Sequence, residues 1–252
     1  MNRSDFQKLV NSELPRLFQA AREHDELAFL FAVLGVNSEK DDAGWRPIGE
    51  TQAVVHDVLG LINGPLHQHA KMRLALMLYC HIIETDFPYH CLYNLLLTVE
   101  GREPPKTFSF LDKYKNGIPP SVPDRLAAIK AKAIEHKFLG INAIFDQIVR
   151  ADIRNVFVHS DYVLFGDELR LRHRDQYASI RLAEVMELVQ KTVDWFNSFM
   201  ALLTASRRSF PKGHRITGRK SAGGRDLCSV EVLVDERGFA TGFKTSDALP
   251  FW

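Results

Sequence analysis

The chain has 252 residues, 46% of them apolar and 25% charged. That is enough for one large domain with a substantial core, and it excludes a disordered or disulfide-stapled chain. A balance of 32 Lys and Arg against 31 Asp and Glu leaves a net charge of +1, so a polyanionic partner could be signalled only by local clusters. Cys80, Cys91 and Cys228 are odd in number and not closely spaced, which argues against a disulfide framework and for a reducing compartment. The opening "MNRSDFQKLV" lacks a signal-peptide layout, and the longest near-apolar run, 27–36, is about half a membrane span. The expectation is a cytoplasmic chain with no membrane partner.

In chain order, Phe6, Leu9, Val10, Leu14, Leu17 and Phe18 recur at helical spacing, predicting helix over 4–34, capped by Ser4 and broken by Pro15. Residues 35–49 read as a polar loop. Helical periodicity returns over 50–63 and stops at "NGP". The segment 67–99 is apolar nearly all round at its centre, which predicts a core helix split near Phe87 by Pro88. Residues 100–123 read as a proline-rich excursion ordered by Phe108, Phe110 and Leu111. Helices are predicted over 124–138, capped by Asp124, and over 141–159. At Asp161 the apolar period changes from 3.6 to 2, and 161–173 reads as a hairpin turned at Gly166-Asp167. Residues 179–205 are strongly amphipathic. In 206–225 there are seven Lys or Arg and no acid, and "SVEVLVDERGFATGFKT" predicts a second hairpin. The predicted architecture is mainly α: a helical bundle over 1–205 with a hairpin near its end, then a basic linker and a short β tail over 206–252.

The candidate site is "IRNVFVHSDY", 153–162. Histidine is the residue type suited to acid and base chemistry near neutral pH, which makes His159 the candidate for that role. Arg154 offers a bidentate donor for a phosphate as charge builds. Asn155 can orient either one, and Tyr162 can stack on a base or donate to a phosphate. On a straight helix Asn155 lies below His159, but Arg154 and His159 stand about 140° apart around the axis. They converge only if the helix ends near His159 or a second chain supplies one of them. The alternative is that both simply dress a helix C-terminus, where basic side chains favour the dipole.

The pattern "RNVFVH", arginine followed directly by a polar residue and five positions later by histidine, resembles the signature of the HEPN superfamily. The longer "RNVFVHSDY" is similar to the wording of abortive-infection and toxin-like members. The resemblance covers roughly residues 50–205. It implies a four- or five-helix bundle that homodimerises and, in many members, cleaves RNA without a metal at the dimer cleft; other members only bind nucleotides, RNA or proteins. A neighbouring-gene protein is the further partner that branch implies. HEPN proteins often place a polar residue on an inner helix facing the motif. Glu84 and His81, three apart on one face, are the candidates for that role, Asn94 a weaker one; the alternative is a buried hydrogen-bonded pair that holds the bundle together.

The basic run adds Arg207, Arg208, Lys212 and Arg215 as candidate phosphate contacts, with Phe210 and His214 interleaved. "CHIIETDFPYHC" carries Cys80, His81, His90 and Cys91, but on one helix the cysteines would lie about 16 Å apart along the axis, too far for one zinc. "HQH" at 67–69 reads as a solvated turn and "SAGGR" at 221–225 as a tether. No Walker loop, GxGxxG, HExxH or GxSxG occurs, so no cofactor and no metal are expected. The rival reading is a non-catalytic helical interaction or sensor module.

Overall fold

In the computed structural model the described residues are 1–35, 47–101, 120–173, 176–219 and 227–245. Most of the loop expected at 35–49, the packing of Phe108, Phe110 and Leu111, and the tether at 221–225 lie outside them. The described chain is mainly helical, with two small antiparallel sheets. The helices are α1 (Arg3–His24), α2 (Glu26–Leu34), α3 (Pro47–Asn63), α4 (Gln68–Glu84), α5 (Asp86–Glu100), α6 (Val122–Glu135), α7 (Leu139–Ile148), α8 (Ala151–Val158) and α9 (Leu182–Arg208). The strands are β1 (Tyr162–Phe165), β2 (Glu168–His173), β3 (Gln176–Arg181), β4 (Arg215–Arg219), β5 (Leu227–Val234) and β6 (Ala240–Thr245). The sheets run β1-β2-β3 and β4-β5-β6.

Contacts group the chain into two units. The first comprises Met1–Val10, Arg46–Thr85 and Ala143–Asn197, the second Asn11–Trp45, Asp86–Asn142 and Ser198–Trp252. This grouping interleaves distant segments, whereas the division expected at residue 205 was sequential.

The first unit holds the candidate site. Its core includes Phe6, Val55, Met72, Leu76, Tyr79, Phe145, Ile148, Ile153, Val156, Leu169, Leu171, Val185 and Trp195, all buried. Phe145 meets Trp195 edge to face at 5.6 Å. An ion pair between Arg3 and Asp194 (2.6 Å) fastens the start of the chain to α9. In the second unit Phe18, Phe29, Phe199 and Phe210 form a ring cluster at 6.2–6.3 Å. There Gly218 lets β4 lie against α2, since a Cβ would come within 2.7 Å of Leu27.

Several boundaries differ from expectation for identifiable reasons. The cap of α1 is Asn2, whose Oδ1 accepts from the Asp5 amide at 2.9 Å, not Ser4. Pro15 lies inside α1 without breaking it; the break comes at Asp25, which caps α2 through the Ala28 amide. The 67–99 segment divides at Thr85, upstream of Pro88. Pro88 then falls in the first turn of α5, where a missing N–H costs nothing. Ser121 caps α6, with Asp124 returning the bond in a capping box. The helix expected over 141–159 is two helices, parted at Val149–Arg150. The segment 176–181, partly assigned to the following helix, is instead β3. The basic run is not a linker throughout: α9 extends through Arg208 and β4 takes residues 215–219.

Candidate functional site

The site begins with a buried tyrosine. Tyr79 in α4 accepts a hydrogen bond from the Arg150 amide at 2.8 Å and donates to the Arg150 carbonyl at 3.4 Å. Burial raises its phenol well above the ordinary range, so it stays protonated and able to donate. These bonds satisfy a backbone that would otherwise have continued one long helix, and they let α8 start afresh. Arg150 also forms an ion pair with Asp152 (2.6 Å) at the new N-terminus. Burial opposes it, but the Arg150 hydrogen bond and charge hold the Asp152 carboxyl below its usual range. The eight residues of α8 bury Ile153 and Val156, each contributing roughly 1.5–3 kcal/mol of apolar burial.

The helix ends in a turn that re-aims the chain. Ser160 adopts φ 59°, the left-handed region that non-glycine residues enter at a cost. The Asp161 amide then bonds back to the Val156 carbonyl (2.8 Å) and the Ser160 amide to Phe157 (3.2 Å), the paired bonds of a Schellman ending. His159 is the C-cap, φ −90° and ψ 1°, and its side chain is exposed. The helix therefore ends where convergence requires it to.

An open depression of about 180 Å³ lies at this ending, lined by Asn155, Val156, His159, Asp161 and Arg172. Arg172 comes from β2, and its amide bonds to the Asp161 carbonyl at 3.0 Å. The basic residue that shares this lining with His159 is thus Arg172. The pattern "ELRLRH" carried a usable signal, since strand alternation puts Arg170 and Arg172 on one face; the sequence reading did not include either residue.

Arg154 does not line the depression. Its Nε donates to Glu84 Oε1 at 2.5 Å and one Nη donates to Asn155 Oδ1 at 2.9 Å. Glu84, on α4, therefore faces the motif. Neither partner of that pair is fully buried, so it is a half-exposed ion pair rather than a core linkage. His81 is exposed in the last turn of α4, which corrects the notion of a buried His81–Glu84 pair. Asn94 is buried in α5, within the second unit. Tyr162 stacks on Phe157, ring centroids 5.5 Å apart at 28°, so one of its faces is already occupied.

The basic residues have mixed surroundings. Arg207 Nε donates to the Val33 carbonyl at 2.9 Å, and Arg208 lies 4.4 Å over the Phe239 ring. Lys212 is exposed, and Arg215 is exposed in β4 opposite Glu231. The "HQH" turn is structural: His67 caps α4 through the Ala70 amide, and His69 Nε2 lies 2.9 Å from the Gly166 carbonyl at the β1–β2 turn.

Cys80, Cys91 and Cys228 are free and buried, and burial pushes the Cys80 and Cys91 thiols up to about 12. Among the described residues, Glu100, Glu135 and His136 bring ligand-type atoms within 4.8 Å of one another. The Lys132 ammonium already lies 2.7 Å from Glu100 and 2.8 Å from Glu135, so one positive charge bridges the two carboxylates. No described helix is long and apolar enough to cross a membrane. Set against family models, curated proteins and solved structures, the chain has no match.

Proposed function

We propose that this chain is a HEPN-like protein that binds or cleaves RNA by side-chain acid/base chemistry, with His159 as general acid or base. The observation that carries the reading is the ending of α8. It presents His159 outward, one turn above Asn155, at an open depression that Arg172 also lines. In the reaction the RNA 2′-oxygen bonds to phosphorus as the bond to the 5′-oxygen breaks. A base takes the 2′ proton and an acid protonates the leaving oxygen, giving a cyclic phosphate and a 5′-hydroxyl. An imidazole suits either proton transfer, and a guanidinium stabilises charge on the phosphorane oxygens. One histidine cannot do both at once. A homodimer that joins two depressions across a two-fold axis would supply the second, as the motif's resemblance implies.

The test is degradation of RNA by purified protein, compared with His159→Ala. Loss of cleavage in a folded variant supports the reading; equal cleavage by the variant, or none by the wild type, refutes it.

A second reading has its own observation. Arg154 is held by Glu84 and Asn155 and is thereby diverted from a phosphate, which favours a non-catalytic interaction or sensor module. In that case Arg154→Ala disturbs stability and no reaction. Growth with and without the adjacent gene tests the toxin-like, phage-defence role and a neighbouring-gene partner that the motif's wording suggests.

A further inference from the structure

The β1-β2-β3 sheet has one buried face and one open face, and the open face is unusual in content. Leu169 and Leu171 of β2 point to the core. Alternation sends Val163 and Phe165 of β1, Arg170 and Arg172 of β2, and Tyr177, Ser179 and Arg181 of β3 to the other side, in register: Val163 opposite Arg170 opposite Ser179, and Arg172 opposite Tyr177. Phe165 is 60% exposed and Tyr177 76% exposed. Both rings therefore leave most of their surface open to solvent.

Each ring has a guanidinium beside it. Arg170 lies 4.1 Å over Phe165, and Arg172 lies 6.0 Å from the Tyr177 centroid. Glu168 is the one carboxylate on the open face of the strands. It is bonded to Arg170 at 3.2 Å, and Glu184 reaches Arg181 from α9 at 2.6 Å. Strand geometry places the two rings roughly 16 Å apart, four positions along and two strands across, so they can hold two different bases of one strand. Arg172 belongs both to this face and to the lining of the His159 depression.

We infer that the open face of β1-β2-β3 is a platform for single-stranded RNA, with Phe165 and Tyr177 stacking on bases and Arg172 meeting phosphates. The platform leads a strand along β2 into the depression at His159. Aromatic rings interleaved with guanidinium groups are the chemistry that binds single strands without needing a particular sequence. The inference extends the proposed function by naming how the strand is held, and it rests on that reading only for what happens to the strand afterwards.

The experiment measures binding and cleavage separately. Binding is followed by fluorescence anisotropy of an end-labelled uridine 12-mer and its all-deoxy counterpart, cleavage by gel with the uridine 12-mer. Because a stacked base contributes about 1–3 kcal/mol, Phe165→Ala and Tyr177→Ala should each weaken binding about fivefold or more. The pair together should weaken it at least about 25-fold for both oligomers. Tyr177→Phe should restore most of the binding that Tyr177→Ala loses, because the ring is kept, and His159→Ala should cut nothing. Wild-type binding by the double variant, in a chain with an unchanged circular dichroism spectrum and melting temperature, overturns the platform. So does failure of the wild type to bind either oligomer. If instead the double variant changes only sedimentation from dimer to monomer, the face covers a second copy of the chain and the platform is likewise overturned. Ring-dependent binding with no cleavage by the wild type upholds the platform and sinks only the enzyme reading.

Discussion

Removing one oxygen from Tyr79 tests how the site is positioned. Tyr79→Phe keeps the ring that fills the core, since the residue is fully buried, and deletes only the hydroxyl that bonds Arg150 N–H (2.8 Å) and C=O (3.4 Å). A desolvated backbone group left without a partner costs about 1–3 kcal/mol. Arg150 itself is exposed, so water can reclaim part of the loss, and the shorter bond dominates. The expected destabilisation is about 1.5 kcal/mol, or about 3–6 °C in Tm for a chain of this size. Tyr79→Ala adds a cavity and should cost about 3–5 kcal/mol. Urea titration measures the energies, and amide hydrogen exchange shows where they fall. Protection should drop at Arg150 and through α8 while α4 keeps its own. If Tyr79→Phe changes stability by less than about 0.5 kcal/mol, or if exchange rises evenly everywhere, the hydroxyl does not hold the α7–α8 break and α8 is positioned by its apolar contacts alone.

Four further outcomes follow from the same geometry. His159→Ala should leave stability within about 0.5 kcal/mol by thermal denaturation, since the side chain is an exposed cap, while RNA cleavage disappears. Glu84→Ala breaks a half-exposed pair and should cost at most about 1 kcal/mol, yet frees Arg154 to move and so should alter RNA affinity more than it alters Tm. Burial, and then the Arg125 guanidinium, hold His90 down to about 3 from 6.5. The unfolded chain therefore takes up a proton that the folded chain refuses, and stability is full above about pH 6.5 and falls toward pH 3, at up to about 1.4 kcal/mol per unit. His90→Gln should flatten that slope in urea titrations run across the range. The buried thiols should give no reaction with an aromatic disulfide reagent in the native chain and all three in guanidinium.

Much of the helical framework was legible because apolar periodicity is a local signal. Val54, Val55, Val58, Leu59 and Ile62 recur as one helix face needs, and α3 is there. The turn at Gly166 was equally readable, with φ 58° at a position written as glycine. What was not legible depends on partners distant in sequence. Nothing in 141–159 announces a break at Arg150, because the group that takes the Arg150 amide there is the hydroxyl of Tyr79, 71 residues away. Likewise Arg154 looked like the phosphate donor until Glu84, 70 residues upstream, was found against it. β3 was missed because its alternation runs straight into the amphipathic start of α9, with no proline or glycine to separate them.

The ending of α8 combines both kinds of signal. The change of period at Asp161 marks where the helix must stop, but the residue that turns the chain is Ser160 and not the glycine that such an ending favours. A serine in the left-handed region is strained by roughly 1 kcal/mol, and that strain sits directly beside His159. Replacing it tells whether the strain matters. Ser160→Gly should raise stability by about 0.5–1 kcal/mol, less whatever the unfolded chain gains in freedom, with His159 left in place and cleavage unchanged. Should stability rise while cleavage falls, the serine side chain takes part in the chemistry beside His159. Should stability fall, Ser160 is not held in the left-handed region and the turn that presents His159 has a different cause.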